Sequence, residues 1–186
     1  MKTCLIVIDA QESFRHRPYF DPSALPAYLA AQNALIDGFA AAGAPIVRVL
    51  HSDGPAVAGN AFAIESGHVR PLEGLAAFDP AASFTKRRHS ALVGTGLDVW
   101  LTENRIDRLV ISGIRTEQCC ETTTRHASDL GWRVDYVTEA TLTFDMVQPD
   151  GRPLAAADIM ARTATVLDGR FARVCNVQDA LAGLTA

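Results

Sequence analysis

Short apolar runs alternate with segments of helical periodicity along the whole chain. The runs predict six buried strands, at residues 4–8, 45–50, 83–86, 109–112, 133–137 and 172–176. Apolar residues at helical spacing predict helices between these strands, at residues 23–42, 97–104, 119–130, 158–167 and 177–184. Apolar strands that alternate with helices are typical of a parallel sheet. The pattern therefore predicts a single α/β domain over residues 1–186, with a six-stranded parallel sheet and helices on both faces.

One long stretch, residues 51–80, follows neither pattern. It is rich in glycine and proline, which punctuate loops and turns. Because loops longer than about 15 residues are usually functional, we expect an active-site loop here that contains one turn of helix.

The composition narrows the function classes. Hydrophobic residues make up 48% of the 186 residues, which is enough material for a sizeable core. The net charge is −4 and there is no long basic run, so nucleic-acid binding is not expected. The apolar runs are too short for a signal peptide or a membrane span, which favours a cytoplasmic enzyme acting on a small molecule. The four cysteines are then expected to be reduced thiols.

Reactive side chains follow the predicted strands. Asp9, His51 and Lys86 lie at the ends of the first three strands, and the fourth strand leads through a turn to Cys119. Ligands bind at the carboxyl ends of parallel strands, so an acid, a base and a thiol are predicted to converge there. We expect Cys119 to be the first residue of a helix, where the helix dipole and Lys86 would lower the pKa of the thiol. The amides of that first turn could hold a developing oxyanion.

Each of these residues also has a simpler interpretation. Asp9 alone is more often a loop acid or helix cap, and Cys119 alone is more often a small buried hydrophobe. Lys86 precedes two arginines and would usually belong to a solvated basic patch. The adjacent Cys119 and Cys120 invite a redox interpretation, although the ring of a vicinal disulfide is strained. The residues alone therefore leave open a thiol hydrolase, a catalytically idle binding module with the same fold, and a thiol redox protein.

Three longer segments carry a family resemblance. They are LIVIDAQESF at residues 5–14, KRRHSALVGTGL at residues 86–97 and LVISGIRTEQCCETTTR at residues 109–125. All three resemble segments of the isochorismatase-like cysteine hydrolases, the family of nicotinamidase and N-carbamoylsarcosine amidohydrolase. The segments GWRV and EAT, at residues 131–134 and 139–141, are similar too. The resemblance covers nearly the whole chain, in the family's order.

The resemblance implies a Rossmann-like three-layer fold and a Cys-Lys-Asp triad. The triad would hydrolyse a small amide, carbamoyl or ureido substrate through a thioester, with Cys119 as nucleophile, Asp9 as proton acceptor and donor, and Lys86 as orienting charge. It further implies a cis peptide between Ile114 and Arg115, with the amides of Arg115 and Cys119 as oxyanion hole. No cofactor and no nucleic-acid or membrane partner is implied. Members are commonly oligomeric, so a homodimer or homotetramer is expected.

Substrate selection is expected from side chains around the strand ends. Arg115, beside the oxyanion hole, is the candidate partner for a substrate carboxylate. Metal-binding nicotinamidases carry an Asp and two His after the second strand. Here His51, Asp53 and His68 leave a zinc site open, but their spacing does not match and we expect no metal. The expected substrate-binding residues are Phe14, the loop at 15–20, His51, His89, Arg115, Gln118 and Phe144.

Overall fold

A parallel six-stranded sheet forms the centre of the computed structural model, which describes residues 1–184. Its strands are β1 (Thr3–Ile8), β2 (Ile46–His51), β3 (Ala82–Lys86), β4 (Arg108–Ile114), β5 (Arg133–Leu142) and, after the short hairpin β6 (Met146–Val147) and β7 (Pro153–Leu154), β8 (Arg173–Cys175). They lie in the order β3-β2-β1-β4-β5-β8. The chain direction across the sheet therefore reverses between β1 and β4, the position where open α/β sheets bind ligands.

Helices cover both faces of this sheet, as the alternating pattern predicts. They are α1 (Leu25–Ala41), α2 (Leu97–Glu103), α3 (Glu121–Asp129), α4 (Ala156–Leu167) and α5 (Val177–Ala182). Every residue of β1 is buried, and its alternate side chains enter two different apolar clusters. Leu5 and Val7 pack with Phe39 of α1, whereas Ile6 and Ile8 pack with Leu101 of α2. A strand buried on both sides explains why β1 reads as one continuous apolar run.

A glycine allows β4 to approach β1 closely next to the site. Gly113 has φ +129° and pairs in register with Ile8. A Cβ atom at this position would collide with the backbone carbonyl of Ile8. Only glycine therefore fits where the central strands end.

Three local features differ from the sequence predictions. Strand β5 runs on to Leu142 instead of ending at residue 137, because its last residues include the half-buried Thr138 and the exposed Glu139, which break the apolar run. The β6–β7 hairpin was not predicted, although its Asp150-Gly151 turn is a typical hairpin signal. Cys119 lies in a π-helical turn, Thr116–Cys120, and not in α3.

The long stretch at residues 51–80 contains one 3-10 turn, Ile64–Ser66, as expected. No helix within residues 1–184 has the length and apolar character needed to cross a membrane.

Candidate active site

Three side chains from distant parts of the chain meet at the carboxyl end of the sheet. The Lys86 ammonium lies 2.7 Å from Oδ2 of Asp9 and 3.2 Å from Sγ of Cys119. Asp9 directly follows β1, Lys86 ends β3, and Cys119 lies in the turn after β4. The side chains of Asp9 and Lys86 are fully buried, so Lys86 is not part of the solvated patch formed by its exposed neighbours Arg87 and Arg88. The convergence predicted from the strand ends is present.

His51 is the third partner of the lysine. Its Nδ1 lies 3.1 Å from Nζ of Lys86, because the two residues are register partners on the adjacent strands β2 and β3. Burial and the positive charge of Lys86 lower the pKa of His51 to about 4. The imidazole is therefore neutral near pH 7 and accepts a hydrogen bond from the ammonium at Nδ1. Gln11 fixes the His51 backbone, accepting from its N–H and donating to its carbonyl.

Asp9 is held in an uncommon backbone conformation, with φ +50°. Its N–H donates to the Val49 carbonyl at 2.8 Å, which ties the end of β1 to β2. Burial raises the pKa of Asp9 above its usual value, and the charge of Lys86 opposes that rise. The Cys119 thiol also forms a hydrogen bond with the Asp9 side chain, so this carboxylate is placed to take the thiol proton.

The Cys119 thiol has the opposite pKa shift from the one that the sequence suggested. Burial and the Asp9 carboxylate raise its pKa to about 12, and the opposing effect of Lys86 is smaller. For Lys86, burial opposes the ammonium, but the charges of Asp9 and Cys119 outweigh burial and raise its pKa. The 2.7 Å ion pair indicates a charged lysine beside a carboxylate, and the raised pKa of Cys119 indicates a neutral thiol. The sequence prediction considered the helix dipole and the charge of Lys86, but not the burial of the thiol or the charge of Asp9, which are the two largest causes of the shift.

Hydrogen bonds anchor the turn that carries Cys119. The Tyr136 hydroxyl donates to the Thr116 carbonyl at 3.0 Å, and the Thr116 hydroxyl bonds to that of Thr141 at 2.9 Å. The peptide bond between Ile114 and Arg115 is cis. The Arg115 carbonyl accepts from the amides of Gln118 and Cys120, on either side of Cys119. The nucleophile candidate is thus fixed by β5 and by its own turn.

A cavity of about 250 Å³ opens above this cluster. Four of the predicted substrate-binding residues line it, namely Phe14, His51, His89 and Gln118. Arg17 and Tyr19, from the predicted loop at residues 15–20, also line it. The remaining wall residues outside the triad were not predicted as substrate-binding: Asp53, Gly54, Asn60 and Phe62.

Comparison with known proteins identifies the family of this chain. Residues 3–170 match the family model described as the isochorismatase domain. The chain belongs to the isochorismatase family. An isochorismatase family protein of Bacillus subtilis (strain 168) is 27% identical over 178 residues, which are 93% of this chain and 91% of that protein. The nicotinamidase of Escherichia coli (strain K12) is 32% identical over 72 residues, 39% of this chain and 33% of the nicotinamidase.

A solved structure supports the same assignment. A hydrolase of the isochorismatase family from Chromobacterium violaceum ATCC 12472 superposes with a TM-score of 0.88 at 28% identity, covering 99% of this chain and 94% of that one. The predicted six-stranded α/β fold and the family resemblance are therefore confirmed. The chain is a member of the isochorismatase-like hydrolases.

Two predicted substrate-binding residues of this isochorismatase-family chain lie outside the cavity wall. The Arg115 guanidinium forms an ion pair with Glu117 at 3.1 Å, and its Nη2 donates to the Phe144 carbonyl at 3.4 Å. It is buried and lies 5.1 Å from the ring centre of Tyr19. Phe144 packs against Phe14 and Tyr19, which line the cavity, but does not line it itself. Glu117 already matches the charge of Arg115, so this geometry does not favour the expected pairing of Arg115 with a substrate carboxylate, which stays a prediction.

The histidines considered for zinc do not converge in this family member. His68 stacks on His16 with ring centres 3.6 Å apart, whereas His51 faces Lys86. Within residues 1–184, no three His, Cys, Asp or Glu side chains are grouped as metal ligands.

Cys120, the second thiol of the predicted pair, is fully buried in the apolar core next to β4 and α3. Both Cys119 and Cys120 are free thiols. Cys120 therefore contributes to packing, as the resemblance implies.

The low pKa of His51 should make the stability of the protein depend on pH. Below pH 6.5 the unfolded chain binds a proton on His51 that the folded protein does not bind until about pH 4. The free energy of unfolding should therefore fall as the pH drops through this range. Glutamine does not titrate, so the free energy of unfolding of His51→Gln should fall by about 1–2 kcal/mol less than that of the wild type between pH 6.5 and 4. The difference is kept this small because the ring is only partly shielded from solvent. Urea titrations of both proteins at several pH values measure the difference; parallel pH profiles would contradict the assignment.

Proposed function

We propose that this isochorismatase-family hydrolase cleaves the C–N bond of a small amide, carbamoyl or ureido substrate with Cys119 as nucleophile. The observation that carries the proposal is the position of the Lys86 ammonium, 2.7 Å from the Asp9 carboxylate and 3.2 Å from the Cys119 sulfur beside the cavity. An acid–base group and a thiol held by one cation are the parts that acyl transfer requires. The partial identity to a nicotinamidase, which by its name acts on an amide, supports this reaction class.

The raised pKa of Cys119 decides how the first step is written. A thiol with a pKa of about 12 is protonated at rest, so its proton must move as it attacks. Sulfur bonds to the substrate carbonyl carbon, the thiol proton passes to Asp9, and the carbonyl oxygen becomes an oxyanion. Because burial raises the pKa of Asp9, this carboxylate is a stronger base than an exposed aspartate. Lys86 stays charged throughout and holds both partners.

Collapse of the tetrahedral species completes the acylation. The C–N bond breaks, and Asp9 returns the proton to the departing nitrogen, which leaves as ammonia or an amine. A water molecule then attacks the thioester carbon while Asp9 takes one of its protons. The C–S bond breaks, the carboxylic acid leaves, and Asp9 returns the proton to sulfur, which restores the thiol. We assign the oxyanion hole to the backbone amides of Arg115 and Cys119, as the family resemblance implies. Each such donor typically stabilises the transition state by about 3–4 kcal/mol.

The direct test is an ammonia- and amine-release assay over a panel of amides, carbamoyl compounds and ureido acids, with Cys119→Ala as the blank. Rapid quenching with acid, followed by mass spectrometry of the peptide that contains Cys119, should reveal an acyl adduct with an active substrate. Hydrolysis that persists in Cys119→Ala would show that the thiol is not the nucleophile. A redox protein would instead show a reversible change that requires Cys120, and an idle binding module would release nothing.

A further inference from the structure

Arg17 lies in the wall of the catalytic cavity with a donor that has no partner. Its side chain is half-buried and lines the same cavity as Cys119. The Nε atom is buried and has no hydrogen-bond partner. Within residues 1–184, no carboxylate forms an ion pair with this guanidinium. A buried donor in a cavity wall without an acceptor is a group that a ligand can satisfy.

The chain also fixes the position of Arg17. Because Pro18 follows it, Arg17 is restricted to extended backbone conformations, and it adopts φ −102° and ψ 142°. Its N–H donates to the Phe14 carbonyl and its carbonyl accepts from the Phe20 amide, both at 3.0 Å. The guanidinium carbon lies 5.6 Å from the ring centre of Tyr19, which supports one side of the cation. The backbone of Arg17 is thus fixed, and its guanidinium lies beside Tyr19, before any ligand binds.

Neighbouring arginines are engaged elsewhere. Arg15, two residues earlier, is exposed and pairs with Glu12 at 3.7 Å, outside the cavity wall. Arg115 pairs with Glu117 at 3.1 Å. The other charged groups in the wall include the buried Asp9, which is matched by Lys86, and the exposed Asp53 at the rim. Arg17 is therefore the arginine that remains available to a substrate.

We propose that Arg17 binds a carboxylate on the substrate, so that the amide hydrolysed at Cys119 belongs to an anionic molecule such as an amide or ureido derivative of a small carboxylic acid. This inference rests on the proposed function of Cys119. A guanidinium recognises a carboxylate through two parallel N–H donors, which orients the ligand as well as attracting it. The cavity volume of about 250 Å³ limits the substrate to a small molecule.

Aldehydes that add reversibly to Cys119 can test this step without knowledge of the substrate. Sulfur bonds to the aldehyde carbon and the thiol proton ends on the aldehyde oxygen, giving a hemithioacetal with no other reactant. We would compare three carboxylates of increasing length, glyoxylate, succinic semialdehyde and glutaric semialdehyde, with acetaldehyde, butanal and pentanal. Carbon-13 NMR of labelled aldehydes gives each dissociation constant, and Cys119→Ala corrects for addition elsewhere.

In the wild type, at least one carboxylate should bind more tightly than its neutral counterpart. Arg17→Met should reduce that preference about tenfold, as expected for the loss of a hydrogen bond between charged groups. Arg17→Lys should retain part of it, and the matched control Arg15→Met should retain all of it. Asp53→Asn should increase the preference, because it removes a negative charge from the rim. Thermal unfolding of each variant checks that the fold is intact.

The outcomes separate the two proposals. If aldehydes add at Cys119 but no carboxylate is preferred, or if the preference survives in Arg17→Met, the role of Arg17 is overturned. If no aldehyde of either kind adds at Cys119 in the wild type, the proposed nucleophile itself is overturned.

Discussion

Replacing Cys119 with alanine is expected to lower kcat by at least about 10⁴-fold, the scale seen when a covalent nucleophile is removed. The reason is chemical: within the cavity wall, Cys119 is the thiol that touches Lys86, and alanine offers no atom that can form the acyl intermediate. Initial rates with an active amide, measured at saturating concentration, provide kcat directly. The matched control is Cys120→Ala, which removes the next thiol along the chain.

Cys120 is buried in the core and does not line the cavity, so its substitution should retain most of the activity. A modest loss of stability is expected there, because the smaller side chain leaves a void. Equal losses of kcat in the two alanine variants would contradict a specific role for Cys119. Full activity in Cys119→Ala would exclude it as the nucleophile.

Lys86→Met should lower the free energy of unfolding by about 3–5 kcal/mol at pH 7, because it leaves the buried Asp9 carboxylate without its cation. Activity should be lost as well, since the thiol and the acid are no longer held together. The pKa of Asp9, already raised by burial, should rise further. Proton uptake by the folded state then offsets part of the cost, so the stability difference from the wild type should shrink as the pH falls. Denaturant titrations at several pH values measure both effects.

A double-mutant cycle separates the charge from the loss of packing. Asp9→Asn keeps the shape of the side chain, and asparagine tolerates the positive φ found at this position. In the Asp9→Asn background, Lys86→Met should cost much less than in the wild type, because no carboxylate remains to be stranded. Additive costs would show that the pair at 2.7 Å contributes little coupling.

The strands and most helices could be predicted from the sequence because burial of β1 and its neighbours on both faces leaves continuous apolar runs. The end of β5 could not, since Glu139 continues the strand while its side chain accepts a hydrogen bond from the Val177 amide. The π-helical turn at Thr116–Cys120 also escaped prediction. It is held by contacts with Tyr136 and Thr141 that are distant in sequence, and helical periodicity does not record them.

The candidate triad could be predicted because its members follow strand ends, and parallel strands bring those ends together. Charge balance was harder to predict. Arg115 looked available to a ligand until the structure placed Glu117 within 3.1 Å of it. Arg17 was predicted only as part of the loop at residues 15–20. The sequence does not show that its Nε lacks a partner, because that depends on how residues 51–80 complete the cavity wall. The sign of the Cys119 pKa shift likewise depends on the burial of the thiol and on the charge of Asp9, which the sequence does not give.

A thiol with a pKa of about 12 also bears on how Cys119 withstands oxidants. Hydrogen peroxide attacks the thiolate, not the thiol, so the raised pKa keeps the resting sulfur mainly in the less reactive form at pH 7. The resting protein therefore exposes almost none of the oxidisable form. In the proposed mechanism Asp9 takes the proton only as sulfur meets a carbonyl carbon, so we expect the reactive form of the sulfur only while a substrate occupies the cavity. We therefore expect Cys119 to resist oxidation between turnovers, without a second cysteine to repair it.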